Sequence, residues 1–252
     1  MNDPHFEAAL AEARLEALRE FAYGAGHEIN NPLANIAARA QALLVDEQDP
    51  ERRRRLSTIV DQAFRARDMI GGLMVFARPP RPQPAVVPLG DVVRIVLDPL
   101  RGPAAARGLR LEYSPPPVPL ELRVDVGQVA EALRAVVHNA IEAVDDGGHV
   151  TVCGRATGGM AEIEVADDGR GMDAATLRRA FDPFFSGREA GRGLGLGLPK
   201  AWRLLTTNGG ELVVDSRPGR GTRVTVRLPL AEFAGGEAPQ PSAPVDAAEA
   251  RR

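Results

Sequence analysis

The sequence predicts two units of different fold class: an all-α helical hairpin that pairs with a second copy into a dimeric four-helix bundle, followed by an α+β two-layer sandwich. Three observations favour this division. Apolar residues recur at helical spacing over 1–78, a proline-rich linker follows over 79–85, and helix-like and strand-like segments alternate irregularly over 86–231. The last segment, 232–252, is rich in Ala, Pro, Gly and Glu without periodicity, so we expect it to be disordered.

The first helix is predicted over about residues 6 to 45, where apolar residues step by three and four positions. Pro32 divides this series, because its ring removes a helical hydrogen bond and tends to kink the helix. We therefore expect one long helix that bends just after His27. The apolar positions are Leu15, Leu18, Ala22, Ala25 and Ile29 before the proline, and Leu33, Ile36, Ala40 and Leu43 after it.

The second helix has a clear start signal. Asp49 can cap a helix, and Pro50 suits the first helical position. The apolar spacing then continues to Phe76, which predicts a helix running antiparallel to the first. Because two helices with narrow apolar stripes cannot enclose a core alone, we expect a homodimer.

The second unit mixes helices with short strands. Hairpins among the strands favour an antiparallel or mixed sheet that helices cover on one face. Helices are predicted near 89–106, 125–145 and 197–207, and strands near 109–113, 149–156, 161–166, 211–215 and 222–228.

Composition narrows the function classes. The 252-residue chain has a formal net charge of -3, which argues neither for a nucleic-acid binder nor for a membrane-surface protein. It has no run of about 18 apolar residues and no signal peptide after Met1, so we expect no membrane span in this chain and a cytoplasmic location. Cys153 is the single cysteine, which excludes a disulfide framework and a thiolate metal cluster, and we expect it to be buried in a strand.

A histidine followed at once by a carboxylate, His27-Glu28, lies beside the predicted apolar seam of the first helix. An exposed, neutral imidazole nitrogen can attack a phosphorus atom. Glu28 can fix the ring tautomer and take up the developing charge as a general base. Asn31 lies four residues after His27, on the same helical face, where its carboxamide could orient water for the reverse hydrolysis.

Residues suited to a nucleotide follow downstream. Asp167 ends a predicted strand, where it can accept a hydrogen bond from an adenine amino group, and Gly169 and Gly171 let the backbone pass close to the base. Asn139, on a predicted helix, can ligate Mg²⁺ through its carboxamide oxygen. The alternating glycines of 191–197 expose N–H groups just before a helix, which favours phosphates.

These motifs together resemble the sensor histidine kinases of two-component signalling, in which a HisKA-type dimerisation and phosphoacceptor domain is joined to a Bergerat-fold (GHKL) ATP-binding domain. The resemblance spans about residues 8 to 230, with every motif in the family's order. The matching segments are the histidine box 27–33, the asparagine box 138–143, the nucleotide segments 167–171 and 191–196, the lid segment 181–185, and the turn 218–222 before the last strand.

The resemblance implies an ATP-dependent protein-histidine kinase with ATP and Mg²⁺ as cofactors. His27 would receive the γ-phosphoryl group and pass it to an aspartate on the receiver domain of a response regulator, which the kinase could also dephosphorylate. Glu28 would be the acid/base partner, Asn31 the phosphatase-linked residue, Asn139 the Mg²⁺ ligand and Asp167 the adenine reader. The remaining ATP-binding residues would be Gly169, Gly171, Phe184, Arg188, Arg192, Gly193, Leu194, Gly195 and Leu196.

The resemblance also implies three partners: a second copy of the chain, a response regulator and a source of signal. Only 26 residues precede His27, which leaves no input domain in this sequence. We therefore expect either a fragment or a kinase that receives its signal through a separate sensory partner.

Three alternatives stay open. Ala135 stands where the family commonly carries a second asparagine, so the chain could be an ATP-binding dimeric regulator or scaffold with mainly phosphatase activity and weak kinase activity. An ATP-hydrolysing clamp of the same nucleotide fold would need a water-activating glutamate at Ala135. The arginine run Arg52–Arg55 would suit nucleic acid, but such a run on the first turns of a helix is usually a solvated face, and docking of a regulator is its better functional use.

Overall fold

The chain folds into two compact units, Met1–Pro80 and Arg81–Arg252. The computed structural model describes residues 4–185 and 195–231. Within the first helix it describes the exposure of Glu16, Glu20, Gly24 and Gly26, and of every residue from Glu28 onward. The predicted disordered tail, 232–252, lies outside the described residues.

Two helices, α1 (Pro4–Asp46) and α2 (Pro50–Ala77), form the hairpin of the first unit. Helix α1 continues through Pro32 without a break. Asp49 caps α2 as predicted, because its Oδ1 accepts hydrogen bonds from the N–H groups of Glu51 at 2.8 Å and Arg52 at 3.0 Å. The start signal in the sequence therefore identified the beginning of α2 correctly.

A side chain of α2 also binds the end of α1 and the loop between the two helices. Arg53 donates from Nη1 to the carbonyl oxygens of Leu44 at 3.1 Å and Glu47 at 2.8 Å. These bonds satisfy acceptors at the end of α1, which a helix terminus otherwise leaves unpaired. Arg55 bonds to Glu51 one turn earlier at 3.1 Å, so part of the arginine run serves the hairpin itself.

Small residues of α1 face α2 and let the two helices approach closely. Gly26, Ala37 and Ala40 are buried on α1, and a Cβ added at Gly26 would lie 2.5 Å from the Met74 sulfur. Their counterparts on α2 include the buried Val60, Ala63, Leu73, Phe76 and Ala77.

A second apolar stripe of α1 remains uncovered within a single chain. Ile29, Ile36 and Leu43 are 38%, 48% and 63% exposed, respectively, and they follow one another at intervals of seven residues. A seven-residue repeat is the spacing of a helical packing seam.

Among its described residues, the second unit has nine elements besides two short edge strands. The edge pair is β1 (Ala85–Pro88) with β3 (Glu121–Val124), which run antiparallel. The other elements are α3 (Leu89–Ala106), β2 (Arg110–Ser114), α4 (Val126–Ala143), β4 (His149–Thr157), β5 (Met160–Asp167), α5 (Ala174–Arg178), α6 (Gly197–Thr207), β6 (Glu211–Ser216) and β7 (Thr222–Pro229).

The main sheet has five strands in the order β2-β4-β5-β7-β6. The β2–β4 pair is parallel and the other three pairs are antiparallel, so the sheet is mixed. Helices α3, α4 and α6 contact the strands of this sheet. The predicted two-layer α+β fold is therefore confirmed.

The core lies between the sheet and these helices. Apolar residues of α4, together with its C-cap Val144, are buried in this core. They include Val129, Leu133, Val136, Val137, Ala140 and Val144. On the sheet side, the fully buried members include Val150, Val152, Ile163, Val226 and Leu228.

Several details differ from the sequence predictions. Strands β1 and β3 and helix α5 were not predicted, because each has only four or five residues and cannot display a period. Ala85, predicted as the last linker residue, is the first residue of β1. Cys153 is only half-buried, since it follows Val152 on a strand and so points to the opposite face of the sheet.

Candidate functional site

Asp167 ends β5 and is held by two backbone donors. Its Oδ1 accepts hydrogen bonds from the N–H of Gly169 at 2.9 Å and of Thr222 at 3.2 Å. Burial raises the pKa of the Asp167 carboxyl above its ordinary value, and the charge of Asp168 adds to this rise, while the two N–H bonds oppose it. Both bonds engage Oδ1, which leaves Oδ2 available to a ligand donor.

The backbone around Asp167 is interlocked at positions that only glycine can occupy. A Cβ on Gly169 would overlap the carbonyl of Ala143 at the end of α4. Gly171 has φ of 66° and a Cβ there would overlap the carbonyl oxygen of Arg217, while a Cβ on Gly221 would overlap the carbonyl of Asp167 itself. The predicted glycines thus bring the segment after β5 against the turn before β7.

The turn before β7 contributes contacts that the sequence did not assign to the site. Thr222 donates its N–H to Asp167, and Ser216 accepts the N–H of Met172 at 2.8 Å on its hydroxyl oxygen. The Ser216 hydroxyl in turn donates to the carbonyl of Gly221 at 3.0 Å. The only signal in the sequence was the match of 218–222 to a family turn, which does not name these bonds.

Asn139 and the beginning of α6 lie in contact. Asn139 is half-buried on α4, and a Cβ added at Gly197 would lie 3.2 Å from its Nδ2 and 3.4 Å from its Oδ1. Gly197 is the first residue of α6, and the first turn of a helix presents N–H groups without intrahelical partners. A carboxamide group and a helix N-terminus therefore lie in contact.

The described residues include the lid segment 181–185 and continue from Gly195. Phe184 is half-exposed with φ of 65°, a rare backbone conformation for an aromatic residue, and Arg179 stacks over the Phe185 ring at 4.1 Å. A Cβ on Gly195 would overlap the carbonyl of Phe185, so Gly195 lies directly against the backbone of Phe185. Leu196, the next residue along the chain, is buried. The predicted ligands Arg188, Arg192, Gly193 and Leu194 lie outside the described residues.

One ion pair joins α4 and α6 at Glu131, about two helical turns before Asn139 on α4. The Lys200 Nζ lies 2.6 Å from Glu131 Oε1, and Arg134 Nη1 lies 3.0 Å from Glu131 Oε2. Burial works to raise the pKa of Glu131, but the bonds and charges of Lys200 and Arg134 outweigh it, so this pKa lies below its ordinary value. Glu131 is therefore a carboxylate with two cationic partners.

The phosphoacceptor segment lies on α1. The backbone of His27 is helical, and its side chain is outside the described part of the structure, so the predicted orientation stays a prediction. Glu28 and Asn31 are both exposed on α1. The carboxamide oxygen of the intervening Asn30 is buried without a hydrogen-bond partner, which places Asn30 on the inner side of the helix.

Comparison with known proteins gives the same division of the chain. Residues 17–81 match the His Kinase A (phospho-acceptor) domain, and residues 124–232 match the histidine kinase-, DNA gyrase B- and HSP90-like ATPase domain. The chain is 30% identical over 226 residues to the sensor histidine kinase ZraS of Klebsiella oxytoca, covering 89% of this chain and 48% of that protein.

The chain belongs to the sensor histidine kinases of two-component systems. Its fold is similar to that of full-length ShkA in complex with AMPPNP, with a TM-score of 0.73 at 22% identity over 84% of this chain and 46% of that one. It is also similar to histidine kinase ThkA in complex with the response regulator protein TrrA, with a TM-score of 0.63 at 19% identity, covering 89% of this chain and 65% of that one.

This histidine kinase chain spans about half the length of the curated relatives it matches. Among its described residues, no helix combines the length and apolar character that crossing a membrane requires. The ATPase-type domain supports ATP binding in the second unit, where Asp167 and Asn139 lie.

Proposed function

We propose that this chain is an ATP-dependent protein-histidine kinase that autophosphorylates on His27 and passes the phosphoryl group to an aspartate of a response regulator. The observation that supports this most is the contact between Asn139 and the first turn of α6, in the same domain as the half-buried Asp167. One part of the domain thus suits a purine amino group, and another suits phosphates with a cation.

The residues that are described fit Mg-ATP. Oδ2 of Asp167 can accept a hydrogen bond from the adenine amino group while Oδ1 stays fixed by Gly169 and Thr222. Asn139 would hold Mg²⁺ through its carboxamide oxygen, and the N–H groups at the start of α6 would face the phosphates. When bound, Mg²⁺ neutralises the negative charge of the phosphates.

At the receiving end, a ring nitrogen of His27 forms a bond to the γ-phosphorus as the bond to ADP breaks. Glu28 accepts a hydrogen bond from the other ring nitrogen and balances the positive charge that develops on the imidazole. Positioning and charge neutralisation supply most of the catalysis in phosphoryl transfer, so the exposed Glu28 acts by orienting His27.

The exposed stripe Ile29, Ile36 and Leu43 supports a homodimer. Exposed large apolar residues at seven-residue intervals are typical of a seam that a second helix covers. A second copy of α1 and α2 would complete the four-helix bundle, and the match of residues 17–81 to the His Kinase A domain agrees with that assembly.

A response regulator is the proposed acceptor. The similarity to ThkA, which was solved in complex with a response regulator protein, supports this class of partner. Glu28 and Asn31 are exposed on α1, as a surface that meets a receiver domain requires.

Two observations favour a second candidate, a regulator that mainly dephosphorylates its partner. Ala135 offers no polar group on the face of α4 that carries Asn139, which weakens the kinase direction. The exposed Asn31 could orient water toward a phosphorylated aspartate. An ATP-hydrolysing clamp is less well supported, because Ala135 has no carboxylate and Glu131, one turn earlier, is paired with Lys200.

The kinase is tested by incubating the purified chain with Mg²⁺ and ATP labelled at either the γ- or the α-phosphate. We expect labelling from γ-labelled ATP only, and clearly weaker labelling of Asp167→Asn at an ATP concentration near the wild-type Kd, where a loss of affinity lowers the bound fraction most. Label from the α-phosphate would indicate retained nucleotide and contradict phosphoryl transfer. Comparing this rate with the dephosphorylation rate of a phosphorylated receiver domain decides between kinase and phosphatase.

A further inference from the structure

We propose that Lys200 is a phosphate-positioning residue of the nucleotide site, held on Glu131 in the nucleotide-free protein and released to the β- and γ-phosphates when ATP binds. This inference rests on the proposed kinase function and adds a residue to its site. It follows from the composition of the chain, the geometry between α4 and α6, and the charge balance at Glu131.

The composition singles out Lys200. The chain has 31 lysine and arginine residues, and Lys200 is the one lysine among them. Arginine is the better partner for a static carboxylate bridge, because its planar fork matches two oxygens, whereas lysine is a compact point charge on a flexible stem that suits phosphate. A single lysine in an arginine-rich chain therefore indicates a side chain whose ammonium group moves between two partners.

The geometry places the Lys200 backbone near the phosphate end of the site, while its ammonium lies on Glu131, about two helical turns from Asn139. Gly197 contacts Asn139, and Lys200 follows three residues later on the same side of α6. Its side chain is only 17% exposed and reaches Glu131 on α4. Three residues advance a helix by about 4.5 Å, so the Lys200 backbone lies within one turn of the α6 N-terminus.

Ala135 leaves the path between the two positions open. Glu131, Ala135 and Asn139 follow at intervals of four residues on one face of α4, with Ala135 midway. Its methyl group is too small to separate the Lys200 ammonium from the region of Asn139. The ammonium can therefore move along this face from the carboxylate toward the phosphates.

The charge balance at Glu131 allows this release. Lys200 bonds to Oε1, while Arg134 contacts Oε2 at 3.0 Å. When Lys200 leaves, Arg134 stays as the partner of the Glu131 carboxylate. The half-buried acid is then not left as an unpaired charge, which would be costly.

The test measures equilibrium binding of AMPPNP with Mg²⁺, and of AMP, to the full chain and two variants. Lys200→Met should weaken AMPPNP binding on the order of tenfold, the effect of one charge-assisted hydrogen bond. It should leave AMP binding unchanged, because AMP lacks the β- and γ-phosphates. Glu131→Gln should strengthen AMPPNP binding, because it frees the ammonium from its competing carboxylate.

A purely structural tie between α4 and α6 predicts a different pattern. Both variants would then lower the melting temperature alike, and both would weaken AMPPNP and AMP equally. That result, or weaker AMPPNP binding in Glu131→Gln, would overturn the inference. A wild-type chain that binds no AMPPNP would overturn the proposed function and this inference together, whereas wild-type binding with unaffected Lys200→Met overturns the inference alone.

Discussion

Asp167 is the proposed ligand of adenine, but burial of its charged carboxylate lowers the stability of the fold. Its carboxylate is half-buried, and burial raises its pKa, yet two backbone N–H groups hold Oδ1 in place. The sequence predicted that this residue reads adenine, because an acid at a strand end before glycines is informative. It could not predict the bond from Thr222, which lies 55 residues away and depends on the pairing of β5 with β7.

Asp167→Asn should separate these two roles. The amide keeps an oxygen for the Gly169 and Thr222 donors but presents an NH₂ group where the adenine amino group would donate, so AMPPNP affinity should fall about tenfold. The free energy of unfolding without nucleotide should be unchanged or higher at pH 7, because a buried charge is removed. Calorimetric titration and urea unfolding measure both quantities. Asp168→Asn is the matched control, and equal loss of affinity there would contradict the assignment.

The raised pKa of Asp167 also predicts a pH dependence. Between the ordinary pKa of an aspartate and the raised folded value, the folded protein holds a proton that the unfolded chain has lost, so rising pH lowers stability in this window. The stability of the wild type relative to Asp167→Asn should therefore decrease as pH rises through that window. AMPPNP affinity should fall as pH drops through the raised pKa. Parallel unfolding curves of the two proteins at all pH values would contradict this.

At the scale of elements, long periodic segments were predictable and short ones were not. Helices α1, α2 and α4 show their apolar spacing over many turns, and the Asp49 cap marks a boundary by local chemistry alone. Strands β1 and β3 pair although 32 residues, 89–120, separate them along the chain, and neither is long enough to show alternation. Their existence depends on tertiary pairing.

The interlock of two turns around Asp167 offers a test at this scale. Gly171 and Gly219 have nearly the same backbone conformation, with φ of 66° and 69°, but only a Cβ on Gly171 meets another atom, the Arg217 carbonyl. Gly219→Ala should cost about 1 kcal/mol in unfolding free energy from the left-handed backbone alone. Gly171→Ala should cost more than that and also weaken AMPPNP binding. Equal losses in chemical unfolding would show that the turns can move apart.

At the scale of the whole molecule, the exposed stripe of α1 predicts self-association. Ile36 is 48% exposed in a single chain, at the centre of the series from Ile29 to Leu43. Ile36→Asp should convert a dimer into a monomer in analytical ultracentrifugation, because a charge would be buried at the seam. Ala38→Asp, an exposed position two residues along the same helix, should leave the dimer intact. A monomeric wild type would contradict the proposed bundle.

The central claim is that the phosphoryl group of ATP arrives on His27. The direct measurement is the chemical stability and position of the label after incubation with γ-labelled ATP. We predict a label that acid removes and alkali preserves, as for a phosphohistidine, lost in His27→Gln and kept in the control His5→Gln, which lies outside every motif of the site. Undiminished labelling of His27→Gln, or a label stable to acid, would contradict the account.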